Sequence, residues 1–321
     1  MSTIVERLEE GRTVLLDGAT GTELERRGVP MNSIAWSGLA IANDPDAVRQ
    51  VHLDYIRAGA EIIITNTFAT GRNMLRLAGE ENQTEDLNRQ AARLALQARE
   101  EAGEARSRNK DGSWRLAPES VWVAGSISPM SGGLGDGAKP SVELMRSDFE
   151  EQAGLLAESG ADFLILEMIR DIDFACVALE AALNTGLPVW VGFSCKETDD
   201  GGISLAPTLC EEISLAKGVA AVMAEGGSLA AVMHSDVDIT GPALDIVSSV
   251  WDGPTGAYPE SGYFIKPNWQ FVDIIPPVDF CTRALDWIGL GARAVGGCCG
   301  IGPQHIRALS KQLLRDFAQP S

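Results

Sequence analysis

Two adjacent cysteines near the end of the chain could bind a metal ion. Cys298 and Cys299 lie in the segment GGCCG (296–300), and thiolates are among the ligands that zinc prefers in proteins. Adjacent side chains on an extended strand point to opposite faces, but the flanking glycines permit a bend or bulge that would aim both sulfurs at one ion. The pair alone is a weak indication, because a zinc site needs at least one more protein ligand, usually Cys or His.

The sequence has three histidines, and one of them is a candidate third ligand. His234 ends an apolar run, whereas His52 lies on the apolar stripe of a predicted helix and His305 in the first turn of the last one. We interpret the latter two as packing or surface residues. Two cysteines, one histidine and an open fourth position form a catalytic zinc arrangement. The alternative is that His234 is a hydrogen-bonded histidine at a strand end.

Eight short apolar runs, rich in β-branched residues, alternate with longer amphipathic stretches. Such runs are typical of strands buried on both faces of a parallel sheet. Their alternation with helices predicts a single-domain (β/α)₈ barrel of the TIM type over residues 1–321. A doubly wound open sheet is the alternative, but no GxGxxG follows the first run. The predicted strands are residues 14–20, 61–68, 121–128, 163–169, 188–195, 229–235, 256–262 and 292–300.

The stretches between these runs have the composition of helices. Segments 44–60, 88–103 and 141–160 end at or beside a glycine, as helix C-termini commonly do. Segment 303–317 begins with a proline, which the first helical turn tolerates. The polar segment 106–120 is predicted to be a surface insertion before the third strand.

In a (β/α)₈ barrel, the chemistry takes place at the carboxyl ends of the strands. A buried core does not require so many polar groups at matching positions, although polar strand ends are common. The polar residues at the predicted ends are Asp17, Asn66, Thr67, Ser126, Glu167, Ser194, His234, Tyr258 and the pair Cys298–Cys299.

Composition excludes several classes of protein. The net charge of −19 would repel a nucleic-acid backbone and anionic lipid. The first residues lack the basic and apolar pattern of a signal peptide, and no apolar run is long enough to span a bilayer. We therefore expect a soluble, cytoplasmic protein, either a monomer or a modest dimer. A reducing compartment also suits the four cysteines that stand alone, which are Cys176, Cys195, Cys210 and Cys281.

Taken together, the motifs resemble the homocysteine S-methyltransferase family, which includes S-methylmethionine- and betaine-dependent enzymes. The resemblance runs along nearly the whole chain and follows the family's order. It rests on LLDGATGTELERRG (15–28), VHLDYIRAGAEIIITNTF (51–68), GSISP (125–129), ILEMI (165–169), AYPESG (257–262) and GGCCG (296–300).

The resemblance implies that Cys298 and Cys299 are zinc thiolates, but the family's remaining zinc cysteine is replaced. That cysteine ends a Gly-Val-Asn-Cys segment on the sixth strand, where this chain has Ala-Val-Met-His ending at His234. A slip of one residue would align Ser235 instead. We prefer His234, because the spacing to the following helix then needs no gap.

The resemblance also implies an amino-acid pocket and a reaction. Asp17 and Glu167 would line the pocket for the substrate ammonium, and Met168 stands where the family has threonine. Homocysteine, bound to the metal as a thiolate, would take a methyl group from a sulfonium or betaine-type donor and give methionine. An onium methyl is attracted to aromatic faces. The candidate substrate-binding residues are Asn66, Thr67, Ser126, Trp36, Phe68 and Tyr258, together with Trp269.

Two other functions stay open. The chain could be a catabolic enzyme that demethylates an onium compound with another thiol acceptor. It could also be a non-catalytic relative that has lost zinc and binds a small molecule or a partner protein, which the histidine at 234 would favour. The methyl donor is not determined by the sequence.

Overall fold

The computed structural model describes residues 3–108, 121–130, 140–206, 212–265 and 270–318. Each of the eight predicted runs contributes one strand of a parallel sheet. The strands are β1 Val14–Leu15, β2 Ile62–Ile64, β3 Trp122–Ile127, β4 Phe163–Ile169, β5 Val189–Phe193, β6 Leu229–Asp236, β7 Thr255–Glu260 and β8 Ala292–Val295. Two short antiparallel hairpins follow β5 and β7 along the chain: Cys195–Glu197 with Ile203–Leu205, and Tyr263–Ile265 with Gln270–Val272.

The sheet closes into a barrel. Its strands pair in the order β1-β8-β7-β6-β5-β4-β3-β2, and a parallel bridge between Leu16 and Ile62 joins the two ends of that series. At this seam the N–H of Asp17 donates to the carbonyl of Ile62 at 2.9 Å. The (β/α)₈ barrel is therefore confirmed, and the doubly wound open sheet is excluded.

Helices cover the outside of the barrel between the strands. The helix Pro45–Ala58 shows why these segments are helical. The side chain of Asp44 accepts from the N–H of Ala47 at its start, and Gly59 ends it with a left-handed φ of 111°. None of the helices in the described ranges combines the length and apolar character needed to cross a bilayer. The helices are α1 Ile4–Glu9, α2 Thr20–Arg26, α3 Ala40–Asn43, α4 Pro45–Ala58, α5 Arg72–Ala78, α6 Thr84–Arg108, α7 Val142–Glu158, α8 Ile172–Leu183, α9 Leu215–Met223, α10 Val237–Val250, α11 Pro277–Gly289 and α12 Pro303–Ala318, with a 3₁₀ turn at Glu81–Gln83.

The core has two layers, and the inner layer determines where a site can form. The outer layer packs helices against strands. The inner layer consists of inward-facing strand residues such as Phe163, Trp190 and Tyr258, joined by Ile4 and Leu8 of the helix that precedes β1. Because the barrel interior is filled with side chains, a substrate pocket can form only above this layer, at the carboxyl ends of the strands.

Three predicted strands are much longer than the observed ones. The second run was expected to extend over 61–68, but β2 covers only Ile62–Ile64. The first run was expected to extend over 14–20, but β1 ends at Leu15 and α2 begins at Thr20. The last run was expected to extend over 292–300, but β8 ends at Val295, so both metal-candidate cysteines lie in a loop. The α6 helix also covers part of the segment predicted as an insertion (106–120), and the rest of that segment lies outside the described residues, as do Cys210 and Trp269.

Candidate metal centre and substrate pocket

The loop that carries the cysteine pair is fixed to its neighbours by backbone hydrogen bonds. The N–H groups of three consecutive residues donate to carbonyls on the adjacent strand ends: Gly296 to Ala257 at 3.0 Å, Gly297 to Asp17 at 3.0 Å and Cys298 to Pro259 at 2.7 Å. A Cβ atom at Gly297 would lie 2.2 Å from the side chain of Ile301. Only glycine fits there, so the glycines allow the tight path that turns both cysteines to one side.

His234 reaches the cysteines because β6 departs from regular strand geometry. The pairing register with β7 shifts between Met233 and Asp236, and His234 has a φ of 41°, in the left-handed region that non-glycine residues seldom adopt. Its carbonyl accepts from the hydroxyl of Ser194 at 2.9 Å, which supports this backbone conformation. The ring nitrogen Nδ1 then lies 3.4 Å from Sγ of Cys298.

The contacts of Cys298 with Cys299 and with His234 have the separations that a zinc ion requires. The Sγ atoms of Cys298 and Cys299 are 3.9 Å apart, and the ligand atoms of both cysteines and His234 all lie within 4.8 Å of one another. Tetrahedral zinc with its usual bond lengths would hold two sulfurs about 3.8 Å apart and a sulfur and nitrogen about 3.6 Å apart. Soft sulfur and imidazole donors also match zinc in chemical type. The residues present therefore fit a zinc ion with three protein ligands.

Ser235 has a different role from its neighbour. Its hydroxyl donates to the carbonyl of Met233 at 2.8 Å and accepts from the N–H of Cys195 at 2.9 Å. It is buried and engaged on the β5 side. Of the two alternatives at this strand end, only His234 has its side chain beside the cysteines.

The other two histidines serve packing, as predicted. His52 is fully buried on α4, and burial lowers its pKa to about 4. His305 accepts from the N–H of Gly302 through Nδ1 at 3.0 Å, and its Nε2 is 2.8 Å from the carbonyl of Ile275. Within the part of the chain that the structure describes, His234, Cys298 and Cys299 are the group found with metal-ligand geometry.

The charges around the centre favour a cation. The pKa of Cys298 is raised well above its usual value by its contact with Cys299 and by burial, although His234 acts in the opposite direction. Burial lowers the pKa of His234, but Cys298 and Glu260 more than offset this, so the net shift is upward. The raised pKa of Cys298 opposes its ionisation, and a bound divalent cation would offset that cost.

Two buried carboxyl groups lie at the ends of β1 and β4. Asp17 accepts from the N–H of Ile64 through Oδ2 at 2.8 Å, while its buried Oδ1 has no hydrogen-bond partner among the described residues. Glu167 accepts from the hydroxyl of Ser126. Burial raises the pKa of Glu167 to about 7 and that of Asp17 well above its usual value, and the two carboxyl groups repel each other. A buried carboxylate with an open oxygen suits a cationic partner.

Three of the predicted substrate-binding residues support this pocket through protein contacts. The hydroxyl of Thr67 donates to the carbonyl of Ser126 at 2.7 Å and lies 2.7 Å from that of Thr65. Ser126 in turn holds Glu167. The amide of Asn66 donates to the carbonyl of Ser37 at 2.8 Å and its oxygen accepts from the Ser37 hydroxyl at 2.8 Å. These groups fix Glu167 and the loop around Ser37.

The aromatic candidates separate into two locations. Trp36 and Phe68 stack with ring centroids 5.2 Å apart and an interplanar angle of 19°, and both are half-buried. Tyr258 is buried in the inner layer, and its hydroxyl has no hydrogen-bond partner among the described residues. The stacked pair thus offers an accessible aromatic face, whereas Tyr258 lies in the wall below the pocket.

One residue of the site was missed in the sequence. Glu260 ends β7, and its Oε2 lies 3.2 Å from Nε2 of His234. The same strand-end rule that selected Tyr258 also applies to Glu260, two residues further on. Its closeness to His234 could not be predicted, because it depends on the register shift between β6 and β7.

Comparison with known proteins places the chain in a family. The family model described as homocysteine S-methyltransferase matches residues 14–313. Homocysteine S-methyltransferase of Escherichia coli is 30% identical over 94% of this chain and 96% of its own length, and selenocysteine methyltransferase of Astragalus bisulcatus is 30% identical over 95% and 94%. The crystal structure of the metallated homocysteine methyltransferase MmuM from Escherichia coli superposes with a TM-score of 0.75 and 26% identity, covering 96% of this chain and 98% of that one. The chain therefore belongs to the homocysteine S-methyltransferase family, a family of methyltransferases.

Proposed function

We propose that this protein is a zinc-dependent thiol S-methyltransferase that moves a methyl group from a sulfonium or betaine-type donor to homocysteine, giving methionine. The observation that carries the proposal is the convergence of His234, Cys298 and Cys299 within 4.8 Å at the carboxyl face of the barrel. Two buried carboxyl groups, Asp17 after β1 and Glu167 on β4, lie at the same face of the barrel. The relatives named homocysteine S-methyltransferase support the choice of acceptor.

The acceptor would bind through its amino-acid end. Its ammonium group would lie between Oδ1 of Asp17 and the carboxylate of Glu167, where it would offset the cost of two buried negative charges. Ser126 holds Glu167 in place for this contact. The side chain of the acceptor would then extend toward the cysteine loop, because Gly297 is hydrogen-bonded to the carbonyl of Asp17.

His234, Cys298 and Cys299 would hold the zinc ion. A free thiol is largely protonated at neutral pH, and zinc bound at this centre would stabilise the acceptor sulfur as a thiolate. The thiol proton would pass to solvent, and the acceptor sulfur would form a bond to the methyl carbon as the methyl–sulfur or methyl–nitrogen bond of the donor breaks. The leaving group departs as a neutral thioether or amine with the bonding electron pair, so no general acid is needed.

The stacked pair Trp36–Phe68 would hold the donor. An onium group is attracted to the negative face of an aromatic ring, and this pair is the half-buried aromatic surface at the barrel mouth. Tyr258 would contribute to the pocket wall rather than to donor binding. Sulfonium and betaine-type donors both carry methyl groups on a positively charged onium centre, so both remain in the proposal.

The two alternatives make different predictions. A demethylating enzyme would consume the onium donor with other thiols as readily as with homocysteine, and the selenocysteine methyltransferase relative makes selenocysteine a further acceptor to test. A non-catalytic relative would bind an onium compound without turnover and without metal. The matched separations of Cys298, Cys299 and His234 favour a metal-using protein.

We further propose that residues 1–321 act as one domain, as a monomer or dimer, in the cytoplasm. The thiols of Cys176, Cys195, Cys298 and Cys299 are not in disulfide bonds, which suits a reducing compartment. Light scattering on the purified protein would give its oligomeric state, and a tetramer or larger assembly would contradict this part.

The proposal is tested by elemental analysis and turnover together. Protein purified under reducing conditions without chelator should contain about one zinc per chain, and His234→Ala should contain much less. The parent should transfer methyl groups to homocysteine from at least one donor in a panel of S-methylmethionine, S-adenosylmethionine, dimethylsulfoniopropionate and glycine betaine. A parent that takes up no zinc even when the metal is supplied, or that binds donors without turnover, would contradict it.

A further inference from the structure

Nε2 of His234 has a partner on the side of the ring away from the cysteines. Nδ1 of His234 lies 3.4 Å from Sγ of Cys298, and Nε2 lies 3.2 Å from Oε2 of Glu260. An imidazole that binds a metal through one nitrogen must carry its proton on the other, and an acceptor at that second nitrogen fixes both the tautomer and the orientation of the ring. Glu260 is placed to be that acceptor.

We propose that Glu260 is a positioning residue for the metal centre, acting through His234. The inference rests on the proposed zinc site and extends it. With its proton held by Glu260, Nε2 leaves the lone pair of Nδ1 directed at the two cysteines. The carboxylate also places a negative charge beside the neutral imidazole, so that the pair His234–Glu260 carries the charge that a thiolate ligand would carry alone.

The backbone makes Glu260 rigid relative to the cysteines. On one side of it, the carbonyl of Pro259 accepts from the N–H of Cys298 at 2.7 Å, and on the other, the N–H of Ser261 donates to the carbonyl of Cys299 at 3.0 Å. Glu260 therefore lies between two residues that are each bonded to one cysteine. The backbone that carries the carboxylate is thus fixed relative to the cysteines, which favours one orientation of the His234 ring.

The other acidic residue at this strand end is already engaged. Asp236 pairs with Glu260 across β6 and β7, but its Oδ1 accepts from the N–H of Asp238 at 2.7 Å and caps α10. Among the described residues, Glu260 is the acid whose carboxylate lies within ion-pair distance of the His234 ring.

The test measures zinc affinity by competition with a chromophoric chelator. Loss of a carboxylate that orients a metal-bound histidine typically weakens metal binding about 10- to 100-fold, and we expect Glu260→Ala to fall in this range. Glu260→Gln keeps an oxygen that can accept from Nε2 and should lose less. The matched control is Asp252→Asn, which removes the same charge from the exposed residue near the opposite end of β7 and should change affinity less than about twofold.

Repeating the Glu260 substitution in a second variant distinguishes a positioning role of Glu260 from a role in folding. In His234→Cys the ligand has no second nitrogen, so Glu260→Ala in that background should leave zinc affinity within about twofold of the single variant. The absorption spectrum of the cobalt-substituted protein should change with Glu260→Ala in the parent only. Thermal unfolding of the metal-free variants shows whether each one folds.

Either of two results would overturn the inference. One is an equal zinc affinity in the parent and in Glu260→Ala, which would leave the proposed function standing. The other is an equal loss in the His234→Cys background, which would make the residue a general support of the fold. A parent that binds no zinc would overturn the proposed function together with this inference.

Discussion

At the scale of single residues, two strained positions direct the key side chains of the site. Met168 and His234 both have positive φ, at 61° and 41°, and both lie where a barrel strand shifts register with its neighbour. Such irregularities re-aim side chains at barrel rims, and a left-handed non-glycine residue costs on the order of 1–3 kcal/mol. The N–H of Met168 lies 3.3 Å from Sδ of Met233, so the two irregular strands also contact each other. These two irregularities therefore orient the side chains of Glu167 and His234.

Replacing the histidine ligand by cysteine should not destroy the centre. His234→Cys substitutes a thiolate for a neutral imidazole, which makes the ligand set more negative by one charge and the acceptor sulfur a better nucleophile. We expect the variant to bind zinc and to methylate homocysteine at least as fast as the parent. Zinc content and kcat with homocysteine measure this, and a clear loss of both would exclude His234 as a ligand.

The buried Glu167 predicts a pH dependence of stability. Its pKa is about 7 in the folded protein, against about 4.5 in the unfolded chain, so between these values the folded state holds a proton that the unfolded state has released. The free energy of unfolding of the metal-free protein should therefore fall as pH rises from about 4.5 to 7, by up to about 3 kcal/mol from this group.

Denaturant unfolding at several pH values tests this dependence. Glu167→Gln should make the decline smaller, with a remainder from Asp17, whose pKa burial also raises, whereas Glu225→Gln, a control at an exposed acid, should retain the full decline. A decline of the same size in Glu167→Gln would show that other groups cause it.

At the scale of elements, the loops after the strands determine the site. The loop with Trp36 is fastened to the end of β2 by the two hydrogen bonds between Asn66 and Ser37, which place Trp36 against Phe68. The cysteine loop is fastened to β7 and to the end of β1. Each loop would thus hold one component of the proposed reaction, either the donor or the metal.

The Trp36 loop should affect the donor more than the acceptor. A cation–π contact contributes about 0.5 kcal/mol at an exposed site and about 2 kcal/mol at a desolvated one. This range corresponds to a KM change of roughly 2- to 30-fold. We expect Trp36→Ala to raise the KM of the onium donor by such a factor and the KM of homocysteine much less, while Trp36→Phe recovers part of the loss. Equal effects on both substrates would mean that Trp36 only packs.

The cysteine loop should not accept a side chain at Gly297. A Cβ there would lie 2.2 Å from the side chain of Ile301, so Gly297→Ala must displace the loop that carries the ligands. We expect lower zinc affinity and a lower Tm. Gly289→Ala is the matched control, because it lies on α11 with no atom within 4 Å of its added Cβ. Unchanged zinc affinity in Gly297→Ala would contradict the loop geometry described above.

The sequence predicts strands more accurately than it predicts the contacts at their ends. The run FLILEMI is apolar throughout and becomes a strand with the predicted bounds, Phe163–Ile169, because both faces of a barrel strand are buried. The first run was predicted as strand beyond Asp17, but only Val14–Leu15 pairs regularly. Where this strand ends depends on how the barrel closes onto Ile62, which is distant in sequence and is not visible in the local pattern. The proximity of Glu260 to His234 arises from a register shift, which no periodicity reveals.

At the scale of the whole molecule, the filled barrel leaves one face for chemistry. Inward-facing residues such as Phe163 and Trp190 are fully buried, and the buried residues Ile4 and Leu8 of α1 belong to the same inner cluster. The proposed metal centre and the carboxyl pair therefore share the carboxyl-end face, where β1, β4, β6 and the loop after β8 meet. The metal-ligating residues come from distant parts of the chain, so the centre exists only in the folded protein, and zinc should stabilise it.

The most direct test of the central claim is X-ray absorption at the zinc edge, before and after homocysteine is added. The account predicts two sulfurs at about 2.3 Å and at least one nitrogen at about 2.0–2.1 Å in the zinc-loaded protein, and one additional sulfur when homocysteine binds. The sulfur count should not change with methionine, which offers no thiol. Zinc without sulfur ligands, or an unchanged sulfur count with homocysteine, would contradict the account.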